Sequence, residues 1–307
     1  MSKHRCSFFV CRLFQGAFGG VVDSSAAFLG SETAQDRQGR VLGNLQSAVA
    51  AGSLVGPLIG GFLVRVWGFR PLLIVMGILT GICAITACAL LQERRHQAQA
   101  SANRTGIVQT FKTLFYEPKT RAFVLAGICA KIGIFGLVTA FAPFVKELVD
   151  ASTSAAATWV GMLQAATWGA TFFGSAWWGK QNDRRAVEWN YIWASLLCGL
   201  SVVLQVLTQQ IAGLFIFRIL QGFFFSALIQ SVFLIVVRTS NDQNRSVRIG
   251  ATNSSLIVGQ VLGSFSGGLL GGIFSIEGVF ISMGFVFMMG GVRVWLNLKH
   301  PTNQNNG

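Results

Sequence analysis

Little of this sequence is charged, and less still is acidic. Charged residues make up 11% of its 307 residues, about half the share usual in a soluble domain. A solvated surface for a chain of this length cannot be built from so few. Histidine is also scarce, at three residues. His4, His96 and His300 stand outside the apolar stretches and far apart. With them go the His-based hydrolase constellations, the HExxH zinc site and any His-rich metal centre. No GKS or GKT phosphate loop occurs, and no segment is left over for a soluble nucleotide domain. The six cysteines lie in or beside apolar segments, without a CxxC pair or a metal-ligand spacing, so they read as small buried apolar residues. No cofactor and no metal is expected.

What is abundant is apolar: 52% of residues, including 26 Phe and 8 Trp. A bilayer-spanning helix needs about 20 predominantly apolar residues, and runs of that length recur from end to end. Nine spans are predicted, over 7–29, 43–64, 71–92, 122–145, 156–178, 189–208, 211–237, 250–273 and 278–297. The chain is therefore expected to be an all-α, polytopic membrane protein.

The net charge of +13 does not imply nucleic acid, because the basic residues are dispersed among the connectors rather than clustered. One set of alternate connectors carries Arg37, Arg40, Arg94, Arg95, Lys180, Arg184, Arg185, Arg245 and Arg248. By the positive-inside bias that set is cytoplasmic, along with the C-terminus. With nine spans the N-terminus falls outside, which points to something upstream. Residues 93–121 form the longest connector, polar and basic, and read as a cytoplasmic linker. Within it, Gly106 to Phe115 suits an amphipathic interfacial helix. The linker divides a three-helix remainder (1–92) from a six-helix bundle (122–299), with a cytoplasmic tail at 300–307.

The sequence repeats across the linker. Arg12-Leu13-Phe14-Gln15-Gly16 returns as Arg218-Ile219-Leu220-Gln221-Gly222, and Gly52, Gly56, Gly60 and Gly61 return as Gly259, Gly263, Gly267 and Gly268. Spans one to three match spans seven to nine, and spans four to six have no partner. A duplicated six-helix unit without its first three helices accounts for this pattern.

Several residues are costly where they stand. Arg12 and Arg218 lie within apolar spans, where a charge costs at least about 2.5–3.5 kcal/mol. Each is either a clamp on backbone groups or part of a transport path. Asp23 follows Arg12 by eleven residues, on the same helix face and about 16 Å away. Its repeat counterpart is Ile229, so the scaffold does not demand an acid there. A substrate or proton role stands beside a wetted acid paired with Arg37 or Arg40. Lys131 lies about 13 Å beyond the cytoplasmic end of the fourth span, too deep for comfortable snorkelling. Gln164 and Trp168 in the fifth span add polar and stacking possibilities, against plainer readings of Trp159 as an interfacial anchor and Trp168 as core.

Two motifs carry a resemblance. Arg12-x-x-Gln15-Gly16, followed by Gly52-x-x-x-Gly56-Pro57-x-x-Gly60-Gly61, resembles the fourth and fifth helices of the drug:proton antiporter branch of the major facilitator superfamily. Gly179-Lys180-x-x-Asp183-Arg184-Arg185 is similar to that family's cytoplasmic loop motif in its second-half copy. The resemblance covers nearly the whole chain. It implies a secondary exporter, with small molecule and protons as partners, working by alternating access in the bacterial inner membrane as a monomer. It implies an antiporter role for the glycine-proline run, proton coupling near Arg12 and gating by the loop residues. The first helix of the branch, which often carries a carboxylate, and the first-half loop motif are not represented. Within this reading the cargo is a drug or an anionic metabolite such as a siderophore. An uptake carrier and a truncated, non-transporting membrane protein are the alternatives.

Overall fold

The computed structural model describes residues 25–26, 28–29, 33–90, 107–149, 153–241 and 244–299. Nine helices of ten residues or more run through them. These are α1 (Gln38–Trp67), α2 (Phe69–Leu90), α3 (Ile107–Tyr116), α4 (Pro118–Val149), α5 (Thr153–Arg184), α6 (Val187–Val206), α7 (Ile211–Arg238), α8 (Arg245–Ile273) and α9 (Ile276–Lys299). Among the described residues there is no strand. The second to ninth predicted spans each coincide with a helix. Most of the first span, with Arg12, Gln15 and Asp23, lies outside the described residues, as does the tail from 300. The helix foreseen in the linker is α3.

Helices overrun the predicted spans because backbone hydrogen bonding continues past the apolar stretch. The motif at Gly179 to Arg185, expected as a loop, is mostly helical: α5 runs through to Arg184. Likewise Gln38, Gly39 and Arg40 form the first turn of α1. The link from α1 to α2 is the single residue Gly68, at φ +84°, a left-handed position that a side chain would strain. Pro71 follows in the first turn of α2, where its missing N–H has no helical partner to lose.

Six of the nine helices are long and apolar enough to cross a membrane: α2, α4, α6, α7, α8 and α9. α5, at 32 residues, has the length but not the hydropathy. It packs on α1, and their contact is made of small and polar residues that bring the backbones together. A methyl group added at Gly43 would come within 2.5 Å of the Ser175 carbonyl, and one at Gly179 within 2.6 Å of the Gly39 carbonyl. Ser47 Oγ donates to the Phe172 carbonyl at 2.8 Å. Between helices in a bilayer such close packing, rather than apolar burial, supplies the association.

The remaining contacts pair α4 with α8 and α9, α6 with α9, and α7 with α5 and α6. Phe123, Tyr191, Phe280 and Phe287 are fully enclosed there. The repeated glycines divide sharply in this architecture. On α8, Gly259 and Gly263 lie against α4 so closely that an added methyl would reach 2.8 Å from the Ile128 carbonyl and 2.5 Å from that of Ile132. Their counterparts Gly52 and Gly56 on α1 have no described atom within 4 Å of such a methyl. α2 is exposed along its length and packs, among the described helices, on α1.

The junction between α3 and α4 is held to this framework by charge. Arg248 of α8 donates to Glu117 Oε2 at 2.7 Å and to the Thr239 carbonyl at 2.7 Å. Lys119 meets Glu188 at 2.6 Å. Thr110 and Leu114 of α3 are buried, while Lys112 is exposed, as an amphipathic segment requires.

Candidate functional site

Three helices of different composition converge on one cavity. α4 contributes Lys131 and Phe141, α5 contributes Gln164, Thr167 and Trp168, and α7 contributes Arg218. The enclosed space is about 380 Å³, within the range of small-molecule sites. α5 and α7 meet at its wall through Gly222, which has no room for a side chain against the Thr167 carbonyl. Thr171 Oγ1 donates to the Gly222 carbonyl at 3.1 Å.

Arg218 is the electrostatic centre of the cavity. It is 3% exposed, and its guanidinium carbon lies 3.5 Å from the centroid of the Phe141 ring. One terminal nitrogen donates to Gln221 Oε1 at 2.9 Å, the other to Gln164 Oε1 at 3.0 Å. Gln205 Nε2 also donates to Gln221 Oε1, at 3.0 Å. Every one of these partners is neutral. Arg218 Nε and Gln221 Nε2 are buried without a partner. Among the described residues lining the cavity there is no carboxylate. A buried guanidinium without a counter-ion leaves a desolvation cost of several kcal/mol uncompensated. Amide oxygens and an aromatic face recover only part of it.

Lys131 is the second cation of the cavity. It stands thirteen residues past the start of α4 at Pro118, about 20 Å along the helix. Its ammonium lies 5.7 Å from the centroid of Phe135. Trp168 lines the cavity rather than the core. Trp159 is half-buried and meets Phe215 edge-on, with centroids 6.3 Å apart.

A second polar assembly sits at the far ends of α5 and α7. Asp183 accepts from the backbone N–H of Gly39 at 2.8 Å and of Arg40 at 2.7 Å. Those are unpaired donors of the first turn of α1, where the helix dipole also favours an anion. Arg238 Nη2 donates to the same carboxylate at 3.2 Å and to the Gln35 carbonyl at 3.4 Å. Asp183 thus ties α1 to both α5 and α7. Arg37, Arg40, Lys180 and Arg184 surround it, lining an open cleft. Arg185 follows α5 and is exposed.

The candidate residues fall into separate groups. Lys131, Gln164 and Arg218 share the cavity. Gly179, Lys180, Asp183 and Arg184 gather at the α1–α5 junction, about 30 Å away along α5. Gly52 and Gly56 belong to neither, and Pro57, Gly60 and Gly61 continue the same helix. Gln221 is the residue that sequence reasoning passed over, although the repeat marks it: it is the counterpart of Gln15. Gln205, Phe141 and Arg238 carried no comparable signal.

The sequence profile of the Major Facilitator Superfamily matches residues 2–170 and again residues 141–307. The chain belongs to the Major Facilitator Superfamily. Two successive matches agree with the internal repeat. As a superfamily member it is a multi-pass membrane transporter of small molecules and not an enzyme. Among curated relatives, the "Staphyloferrin B transporter" of Staphylococcus aureus (strain NCTC 8325 / PS 47) is 39% identical over 97% of this chain and 71% of its own length. The "Uncharacterized MFS-type transporter YuxJ" of Bacillus subtilis (strain 168) is 25% identical over 95% and 74%. The "Multidrug resistance protein MdtG" of Dickeya zeae (strain Ech586) is 23% identical over 97% and 72%.

Proposed function

We propose that this transporter is a proton-coupled exporter working by alternating access between two bundles. One is built on α1 and α2 with the segment before them (1–92), the other on α4 to α9 (122–299), joined by the linker 93–121. Its cargo is a small molecule, a siderophore-like anion or a drug. It resides as a monomer in the bacterial inner membrane with its C-terminus in the cytoplasm.

The observation that carries the alternating-access reading is the Asp183 junction. It clamps α1 to α5 and α7 at the basic, cytoplasmic end, while the Arg218 cavity lies toward the other. Access then alternates as follows. Breaking the two hydrogen bonds from Gly39 and Arg40 to Asp183, and that from Arg238 to the Gln35 carbonyl, frees the cytoplasmic ends to separate, and re-forming them closes that side. A substrate in the cavity and a proton on a carboxylate such as Asp23 shift the balance. Export is the direction in keeping with the run from Gly52 to Gly61, and with the relative named a multidrug resistance protein. The relative named for staphyloferrin B supplies the first cargo to test.

Everted membrane vesicles containing the chain provide that test, with staphyloferrin B and the cationic dye ethidium as probes. The expected result is respiration-driven accumulation of one of them, abolished by a protonophore. Accumulation that persists with the protonophore and requires ATP overturns proton coupling. Accumulation only in right-side-out vesicles overturns export in favour of uptake. No flux of either probe in either orientation overturns transport by this chain and leaves the non-transporting reading.

A further inference from the structure

The described partners of Arg218 are all neutral. Arg218 itself is a permanent cation, 3% exposed, in a cavity lined by a second cation, Lys131, and by no carboxylate among the described residues. Its Nε has no partner. Its two bonded nitrogens are occupied by side-chain amide oxygens. One of these, Gln221 Oε1, is locked from behind by Gln205 Nε2 at 3.0 Å. The other, Gln164 Oε1, comes from a half-buried side chain that lines the same cavity. The guanidinium lies against Phe141, 3.5 Å from the ring centroid. A ligand that bonds the same terminal nitrogen must displace Gln164.

We propose that Gln164 is a placeholder for a substrate carboxylate. In the unoccupied cavity its amide oxygen satisfies Arg218. An incoming carboxylate has the same planar shape as that amide plus a full negative charge, and exchanges with it on Arg218 Nη2. Lys131 provides a second positive contact within the same space. The substrate class of this site is therefore a carboxylate-bearing small molecule, and lipophilic cations are disfavoured by the buried charge of Arg218. Binding also releases Gln164 from α7, so that occupancy of the cavity removes one of the side-chain links between α5 and α7. This inference rests on the transporter reading for its biological setting, but the exchange itself is an equilibrium property of the cavity.

The test uses the full chain purified into lipid nanodiscs, with citrate as a tricarboxylate probe and tetraphenylphosphonium as a cationic one. Thermal unfolding and tryptophan fluorescence report binding. Wild type is expected to be stabilised by citrate and not by tetraphenylphosphonium. Gln164→Leu removes the competitor, so its unliganded form melts lower while its citrate affinity rises, by about fivefold or more, since a charged hydrogen bond no longer has to be exchanged. Gln164→Glu places a fixed carboxylate on Arg218 and is expected to melt at or above wild type while losing citrate affinity at least about tenfold. Arg218→Gln should lose citrate binding, but the pair at Gln164 decides the matter should that variant fail to fold. Citrate binding equal to wild type in Gln164→Glu, weaker or unchanged binding in Gln164→Leu, no citrate effect on wild type, or stabilisation by tetraphenylphosphonium would each overturn the exchange. The expected citrate pattern without flux in vesicles would count against the transport reading alone. Flux of cationic dyes with no citrate binding would count against this inference alone.

Discussion

The Asp183 carboxylate accepts a hydrogen bond from the backbone N–H of Gly39, 144 residues earlier, at 2.8 Å. Gly39 is required for it, since a methyl there would lie 2.5 Å from Asp183 Oδ1. The carboxylate therefore sits directly on the first turn of α1, and it does so from the last turn of α5.

Replacing Asp183 by Asn keeps the size and removes the charge. The N-terminal turn of α1 then loses its anion, at a cost of about 1–2 kcal/mol. Hydrogen exchange of the amides at 39–47 should accelerate, and transport should slow if that end must close once per cycle. Unchanged protection at 39–47 would show that the α1–α5 contact stands without the carboxylate.

The glycine run on α8 predicts low tolerance of side chains. Gly263→Val drives a side chain into the Ile132 carbonyl, an overpacking that costs about 1–3 kcal/mol and should lower the melting temperature. A melting temperature equal to wild type would show that the α4–α8 contact yields freely. If the run on α1 serves antiport, Gly56→Val should lose proton-driven flux.

Lys131→Met preserves the aliphatic stem and deletes the charge. Insertion and folding should be unaffected, because the methionine suits the apolar lining. Affinity for a carboxylate probe should drop by about tenfold, measured by equilibrium binding. Unaltered affinity would confine the anion to Arg218.

Asp23→Asn bears on proton coupling. A coupling role predicts loss of gradient-driven flux with normal membrane insertion, whereas Ile229→Val at the equivalent place in the repeat should leave flux near wild type. Normal flux from Asp23→Asn would make it a wetted surface acid.

Helix count, order and membrane nature were legible in the sequence, because a bilayer imposes a local rule. About 20 apolar residues make a span wherever they occur, and basic connectors orient it. The repeat was legible too, since Arg218, Gln221 and Gly222 copy Arg12, Gln15 and Gly16 residue for residue. What a repeat cannot say is whether its two copies have the same neighbours. Gly263 is pressed on α4 while Gly56 meets nothing described, although both stand in the same glycine spacing. The sequence also read α1 and α5 as ordinary spans. Their small, polar contact becomes intelligible only when Gly43 and Ser175 are seen backbone to backbone.

The sites divide along the same line. The sequence by itself determined that Arg218, Lys131 and Asp183 were costly or ordered residues, because the cost of a charge in an apolar segment depends only on its own surroundings along the chain. Only the tertiary structure decided their partners. Arg218 lies 54 residues from Gln164 and Asp183 lies 143 from Arg40. Hydrogen bonds act over about 3 Å, so which side chains meet is set by helix packing, and no spacing along the chain encodes it.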